Sequence, residues 1–248
     1  MDVLEECHNR LARLLGENSE PLEVLRCAEA HRAYWRPPRI RILLLAESHI
    51  YTAFSEMDRQ VILQNHMDTD MPRGFVRLVY CLGYGENNLL NKPIREPSNS
   101  GTPKYWKILY SCVNRVSSNE DFIPILKSYT AFEERIRNKI ALLKRLKEAG
   151  IWLLDASLAA LYPKPVPTLV ESCLQVSWDA YVSQIVRTTR PSSIICIGKG
   201  VFRFLHTRLC DIGIPVFVIP QPNSRLSSLE HLKNYQQYHD IICQSCRL

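Results

Sequence analysis

Apolar residues recur every three or four positions over residues 2–16 (Val3, Leu4, Leu11, Leu14, Leu15) and 21–33 (Leu22, Val24, Leu25, Ala28), a spacing that predicts two helices. Pro37-Pro38 ends the second, because proline lacks the amide that a helix interior requires. The pattern then changes. Arg39–Ala46 is a near-continuous apolar run, and so are Ile151–Asp155, Ser192–Ile197 and Ile214–Ile219. Short runs without alternation predict strands covered on both faces. Helical spacing returns between and around them, over Gly74–Leu82, Tyr105–Val116, Phe132–Leu146, Leu169–Thr188, 201–209 and Ser228–Cys243. Thr130-Ala131-Phe132-Glu133 has the form of a capping box, and Gly150 is the natural stop of the helix it opens. Residues 51–74, polar and rich in Met and Asp, read as a loop lining a crevice. Residues 86–104 read as a surface loop and Tyr162–Thr168 as a rigid, proline-rich one. Strands alternating with helices predict βαβ units. The expected fold is a three-layer α/β/α domain spanning 1–248, with a short, mostly parallel four-stranded sheet and a helical N-terminal layer over 1–36.

Composition adds limits. With 46% apolar residues in 248, the chain can bury a sizeable core. A net charge of +6 permits a polyanionic partner such as DNA without requiring one. No run of ~18 apolar residues is present, which argues against a membrane-spanning helix. The start, Met1-Asp2-Val3-Leu4-Glu5-Glu6, is acidic and lacks a signal-peptide core, so the expected location is cytoplasmic. The nine cysteines are odd in number and scattered. Cys81, Cys112, Cys173, Cys196 and Cys210 lie in apolar patterns and are expected to act as small reduced hydrophobes. Cys243-Gln244-Ser245-Cys246 has metal-type spacing, but no second pair matches it, and only Cys7 and Cys27 offer further ligands. The expectation is no metal and no cofactor. The absence of a G-x-G-x-x-G or Walker-type loop argues against a dinucleotide or ATP role.

In an open parallel sheet, ligands bind at the carboxyl ends of the strands. Two runs end in polar residues within loops: Ala46-Glu47-Ser48-His49-Ile50-Tyr51 and Ile219-Pro220-Gln221-Pro222-Asn223-Ser224-Arg225-Leu226-Ser227. Glu47 and Gln221 are therefore expected to converge on one crevice.

At these residues the chain resembles the uracil-DNA glycosylase superfamily. That family's first motif follows strand one in forms such as Gly-Gln-Asp-Pro-Tyr or Gly-Glu-Ala-Pro-Gly, and Ala46-Glu47-Ser48-His49-Ile50 takes its place. The last motif, His-Pro-Ser-Pro or Asn-Pro-Ser, corresponds to Gln221-Pro222-Asn223-Ser224. A middle strand ending in Leu-Leu-Asn corresponds to Leu153-Leu154-Asp155. Ile194–Gly198 is similar to the family's apolar strand ending in Gly, and Met71-Pro72-Arg73-Gly74-Phe75 to a Val-Pro-Phe-Gly segment. The resemblance covers roughly residues 39–240 in order and spacing, with no single motif matched in full. It implies a DNA glycosylase with a short four-stranded parallel sheet.

On that resemblance the catalytic candidates are Glu47, Gln221, His49 and Ser48. Breaking the C1′–N bond builds oxocarbenium-like charge, which a carboxylate such as Glu47 stabilises while polarising a water. Gln221 can donate to the departing base, where the family uses His or Asn. His49 stands at the family's usual Pro, placed to hold a water or touch a phosphate. Ser48 stands where one branch has a water-activating Asp, so that branch's mechanism does not transfer unchanged. Asp155 replaces the Asn that reads uracil. An ionised Asp accepts from cytosine N4–H, whereas opposite uracil it faces the O4 acceptor. A cytosine-type base follows, and a modified one, because removing normal cytosine destroys the host genome. The family's phage-defence branch, which removes glucosylated hydroxymethylcytosine, is compatible with this. Ile50 stands where one branch has a Tyr that blocks the 5-position. Phe75 or Arg73 is expected to stack on the base, and Tyr51 and Asn223 to contribute to substrate binding. Arg225-Leu226 resembles the wedge that fills the vacated stack, with Ser100, Thr102, Lys104, Lys199, Ser224 and Ser227 as phosphate contacts. The structural alternatives are Glu47 capping a backbone N–H, Gln221 as a turn residue, a packed His49, and Asp155 paired with an Arg or Lys. The functional alternatives are repair of uracil or another deaminated base, a nucleic-acid-binding relative without catalysis, and a metabolic α/β enzyme.

Overall fold

The computed structural model describes residues 2–63, 67–94, 102–161 and 167–245. At its centre lie four parallel strands, β1 (Ile42–Ala46), β2 (Ile151–Asp155), β3 (Ser193–Ile197) and β4 (Val216–Ile219), in the order β2-β1-β3-β4. Register pairs Ala46 with Asp155, Leu45 with Cys196 and Ile197 with Ile219, so all four carboxyl ends share one edge. β1, β2 and β3 are buried along their whole length, the condition that their unbroken apolar runs anticipate. In β4, one of the two edge strands, only Ile219 is buried. β1 and β4 begin well inside their apolar runs. The amides of Arg41 and Ile42 both donate to the Gly150 carbonyl, at 2.7 and 3.1 Å, so the regular ladder opens at Ile42. Pro215 has no amide to contribute, and β4 opens after it.

Eight helices flank the sheet among the described residues: α1 (Val3–Leu15), α2 (Leu22–Tyr34), α3 (Thr102–Val113), α4 (Phe132–Ala149), α5 (Pro167–Ser177), α6 (Ser183–Thr189), α7 (Lys199–Cys210) and α8 (Ser228–Ser245). α1 packs on α2 and α5, and α5 on α7. On the other side α3 packs on α4 and α8. The result is the three-layer α/β/α architecture expected from the pattern. In α1, Leu4, Cys7, Leu11 and Leu15 are buried at the spacing of one helical face, with Asp2 accepting from the Leu4 amide at the N-cap. Gly150 ends α4 in the left-handed conformation (φ 77°), where a Cβ would sit 2.8 Å from the Arg39 carbonyl. None of the described helices is long and apolar enough to cross a membrane.

Several expectations are corrected. Gly74–Leu82 is a chain of turns, not a helix. Residues 75–86 are all buried, so no polar stripe exists to set a helical period. Thr130 does not cap α4. Its hydroxyl donates to the Ile123 carbonyl at 2.6 Å, and Ala131 occupies the cap position without a side-chain bond. Leu169–Thr188 is continuous from α5 to α6 but contains a π turn at Trp178–Val182. Cys210 is exposed at the end of α7 rather than packed.

A candidate active site at the carboxyl edge of the sheet

Chain order and sheet order disagree at one place: β2 lies on one side of β1, and β3 and β4 on the other. The crevice outside such a reversal is the usual ligand site of an open parallel sheet. Glu47 follows β1 there, and Gly198 follows β3. Gly198 donates its amide to the Ile219 carbonyl at 2.7 Å, which brings the β3 turn against the loop after β4. That loop delivers Gln221, whose Nε2 donates to Glu47 Oε2 at 3.3 Å. Gly198 has φ 114°, and a Cβ on it would lie 2.5 Å from Gln221 Cγ, so the close approach depends on glycine. A Cβ on Gly200 would come within 3.7 Å of Glu47 Oε2. Two residues 174 positions apart thus meet as expected. Burial raises the carboxyl pKa of Glu47, and the Gln221 hydrogen bond offsets only part of that rise.

Asp155, beside Ala46 in register, is 3% exposed and belongs to a buried charge network. Its Oδ2 accepts from Nη2 of Arg32, supplied by α2, and lies 3.6 Å from His49 Nδ1. The other ring nitrogen of His49 is 2.9 Å from Glu20 Oε2. Glu20 also accepts from the amides of Thr52 (2.7 Å) and Ala160 (2.9 Å). Burial alone would lift the Asp155 pKa, but Arg32 and His49 outweigh it and hold the carboxyl below its ordinary range. Burial likewise works against the His49 imidazolium, and Glu20 reverses the balance, with a pKa of about 9. His49 is therefore a packed, charged residue with no exposed side-chain surface, which corrects its assignment to the catalytic group. Ser48 is corrected in the same way: its Oγ accepts from the Leu161 amide at 3.1 Å and closes the 156–161 loop.

The remaining candidates divide. Lys104, in the first turn of α3, donates to Asn223 Oδ1 at 3.0 Å, so Asn223 is held at the surface of the loop. The Ser224 amide closes a turn on the Gln221 carbonyl. Beyond it Arg225 is exposed and Leu226 half-buried. Lys199 is exposed at the start of α7. Ser227 is corrected from phosphate contact to capping: its amide and hydroxyl both donate to Glu230 Oε2 at the start of α8. Phe75 is corrected as well, since at 0% exposure no face is free to stack. Arg73 is exposed on the segment that bridges to Val61. Ile50 packs against the core, and Tyr51 is half-buried. Ser100 lies outside the described residues, as does the side chain of Thr102.

Sequence reasoning missed three contributors. Arg32 carried a signal: it shares a helical face with Leu25 and Ala28, and a cation on an apolar face needs a buried anion. Glu20 sits in a turn and carried none. Tyr105, half-buried beside Lys104, has Asp155 and Glu47 as its charged neighbours. Burial and those carboxylates push its phenol pKa well up. Among the described residues no group of three or more His, Cys, Asp or Glu is placed to hold a metal ion.

A scan against models of known protein families finds no match, and a search of curated proteins finds none either. The carboxyl edge itself defines the available chemistry. It offers a partly desolvated carboxylate without a cationic partner among the described residues, an amide donor against it, and a second carboxylate whose one oxygen is neutralised.

Proposed function

We propose that this chain is a DNA glycosylase that hydrolyses the N-glycosidic bond of an extruded, modified cytosine and leaves an abasic site, with modified viral DNA as its target. The observation that carries the proposal is the contact between Glu47 and Gln221 at the reversal point of the sheet, one strand from Asp155. A glycosylase rotates its nucleotide out of the stack before it reads and cleaves it. In the cleavage, positive charge grows on the sugar and negative charge on the departing base. Glu47 stabilises the first and orients the attacking water. The Gln221 amide donates to the base oxygen that takes up the second. With Oδ2 of Asp155 held by Arg32 and His49, Oδ1 is the oxygen left to accept N4–H of a cytosine. Pairing with Arg32 lets that acceptor remain ionised beneath the base without a bare buried charge.

A panel of duplex oligonucleotides tests this. Duplexes carrying uracil, hypoxanthine, cytosine, hydroxymethylcytosine or its glucosylated form are incubated with the protein, and abasic sites are then cleaved with alkali. Strand breaks are expected with the modified cytosines alone. Breaks with uracil instead assign the chain to deaminated-base repair, and binding without breaks to a non-catalytic DNA-binding role. Asp155→Asn is expected to move preference toward uracil. Unchanged preference would make Asp155 a purely structural anion.

A further inference from the structure

A cleft of about 450 Å³ opens between α6 and the last turn of α7. Small-molecule sites span roughly 300–1,000 Å³. The cleft is separate from the carboxyl edge. α7 starts beside Glu47, where a Cβ on Gly200 would lie 3.7 Å from Oε2. It reaches the cleft at Arg208, about 12 Å further along its axis. The π turn at Trp178–Val182 supplies one wall, an irregularity frequent at functional sites. There Asp179 accepts from Nε and Nη2 of Arg208, at 2.9 and 2.8 Å. This two-pronged pair fixes the plane of the guanidinium and leaves its other edge, with Nη1, turned away from Asp179. Ser183, Arg187 and Thr188 of α6 also line the cleft, Ser183 half-buried and the other two exposed. Among the described residues none of these three side chains has a hydrogen bond or ion pair. Asp211, just past α7, lines the cleft as well and is likewise unpaired among the described residues.

We propose that this cleft binds a phosphate ester that carries hydroxyl groups, such as a sugar phosphate, at a site independent of the glycosylase reading. An oxyanion needs convergent N–H and O–H donors. Arg187, the open edge of Arg208 and the Ser183 and Thr188 hydroxyls supply them, and a guanidinium fork meets phosphate oxygens two at a time. Asp179 cancels the charge of Arg208 while holding it in orientation, so Arg187 is the cation left to balance the ligand. Asp211 repels an anion from its own side and accepts only from donors. A ligand that satisfies both sides joins a phosphate to hydroxyls, and the cleft is larger than inorganic phosphate alone would fill.

Isothermal titration calorimetry of the full chain with ribose 5-phosphate, inorganic phosphate, ribose and phosphoethanolamine tests this. Ribose 5-phosphate is expected to bind at least about tenfold more tightly than each of the others. Arg187→Gln is expected to weaken it about ten- to hundredfold. Arg208→Lys keeps the charge but loses the fork, and is expected to weaken it about tenfold. Asp211→Ala is expected to narrow the preference for ribose 5-phosphate over inorganic phosphate, because the phosphate contacts are common to both. Glu47→Gln is expected to leave every affinity unchanged. An unaltered circular dichroism spectrum reports that each variant is folded. The proposal is overturned if no probe binds saturably, or if Arg187→Gln binds ribose 5-phosphate like the parent. Equal binding of inorganic phosphate, or tighter binding of phosphoethanolamine, overturns the ligand class. Loss of binding in Glu47→Gln, or displacement of the probe by duplex DNA, moves the probe to the carboxyl edge and overturns the separate site. The oligonucleotide panel reports on the glycosylase reading by itself, so the two can fail independently.

Discussion

Glu47 and Asp155 are neighbouring strand-end carboxylates with opposite fates. Asp155 gains Arg32 and His49 and is held ionised, whereas burial raises the pKa of Glu47. A half-buried carboxylate without a cation among the described residues is costly, and such sites are where function concentrates. Because the folded protein binds the Glu47 proton more tightly than the unfolded chain does, Glu47 favours folding at low pH. That contribution is lost as pH rises through its folded-state pKa. Glu47→Gln is therefore expected to abolish base release yet unfold at a higher temperature at pH 7, with the gain vanishing in acid. Scanning calorimetry at two pH values checks this, and a lowered melting temperature at pH 7 would contradict the account of Glu47. Glu47 was legible in the sequence because a carboxylate closing an apolar run has one obvious location. The partner that engages Asp155 was not, since it comes from 123 residues away.

At the scale of elements, α2 and the turn before it do more than cover the sheet. They insert Arg32 and Glu20 beneath the crevice, and the two charges clamp Asp155 and His49 between them. His49 has its folded-state pKa raised from 6.5 to about 9. Its stabilising contribution is therefore complete below about pH 6.5 and is lost as pH rises through 9, amounting to about 3 kcal/mol at most. Urea unfolding is expected to show stability falling over that window, and His49→Gln to be less stable at pH 6.5 and to fall less steeply across it, the remaining fall coming from His31, whose folded-state pKa is likewise raised, to about 10. An equally steep fall in the variant would assign the pH dependence to other groups. The helices themselves were legible from their spacing where one face meets water, as in α1. Gly74–Leu82 misled because a segment buried on every side has no face to display, and Thr130 because its hydroxyl found a tertiary acceptor.

Across the whole molecule, cations from separate loops gather on the carboxyl edge: Lys199 after β3, Arg225 after β4, and Lys104 tied to the β4 loop through Asn223. If all three meet phosphates, the affinity for duplex DNA falls with salt at a log–log slope of about −3, and Lys199→Ala reduces its magnitude by about 1. Fluorescence anisotropy between 50 and 200 mM salt measures both, as general laboratory conditions for this effect. A slope unaltered in the variant removes Lys199 from the DNA surface. Ser227 cannot join this group, because Glu230 holds its hydroxyl.

The sequence by itself determined the layers, the four strands and the two loops that carry Glu47 and Gln221, because hydrophobic period and strand-end chemistry are local properties of the chain. It left undecided which polar groups are spent on one another. Only the tertiary structure brought Arg32 and His49 to Asp155 and enclosed Phe75. Each of those outcomes depends on contacts between residues far apart in the chain. A buried charge takes whichever partner the packing brings within reach, and no local pattern encodes that distance.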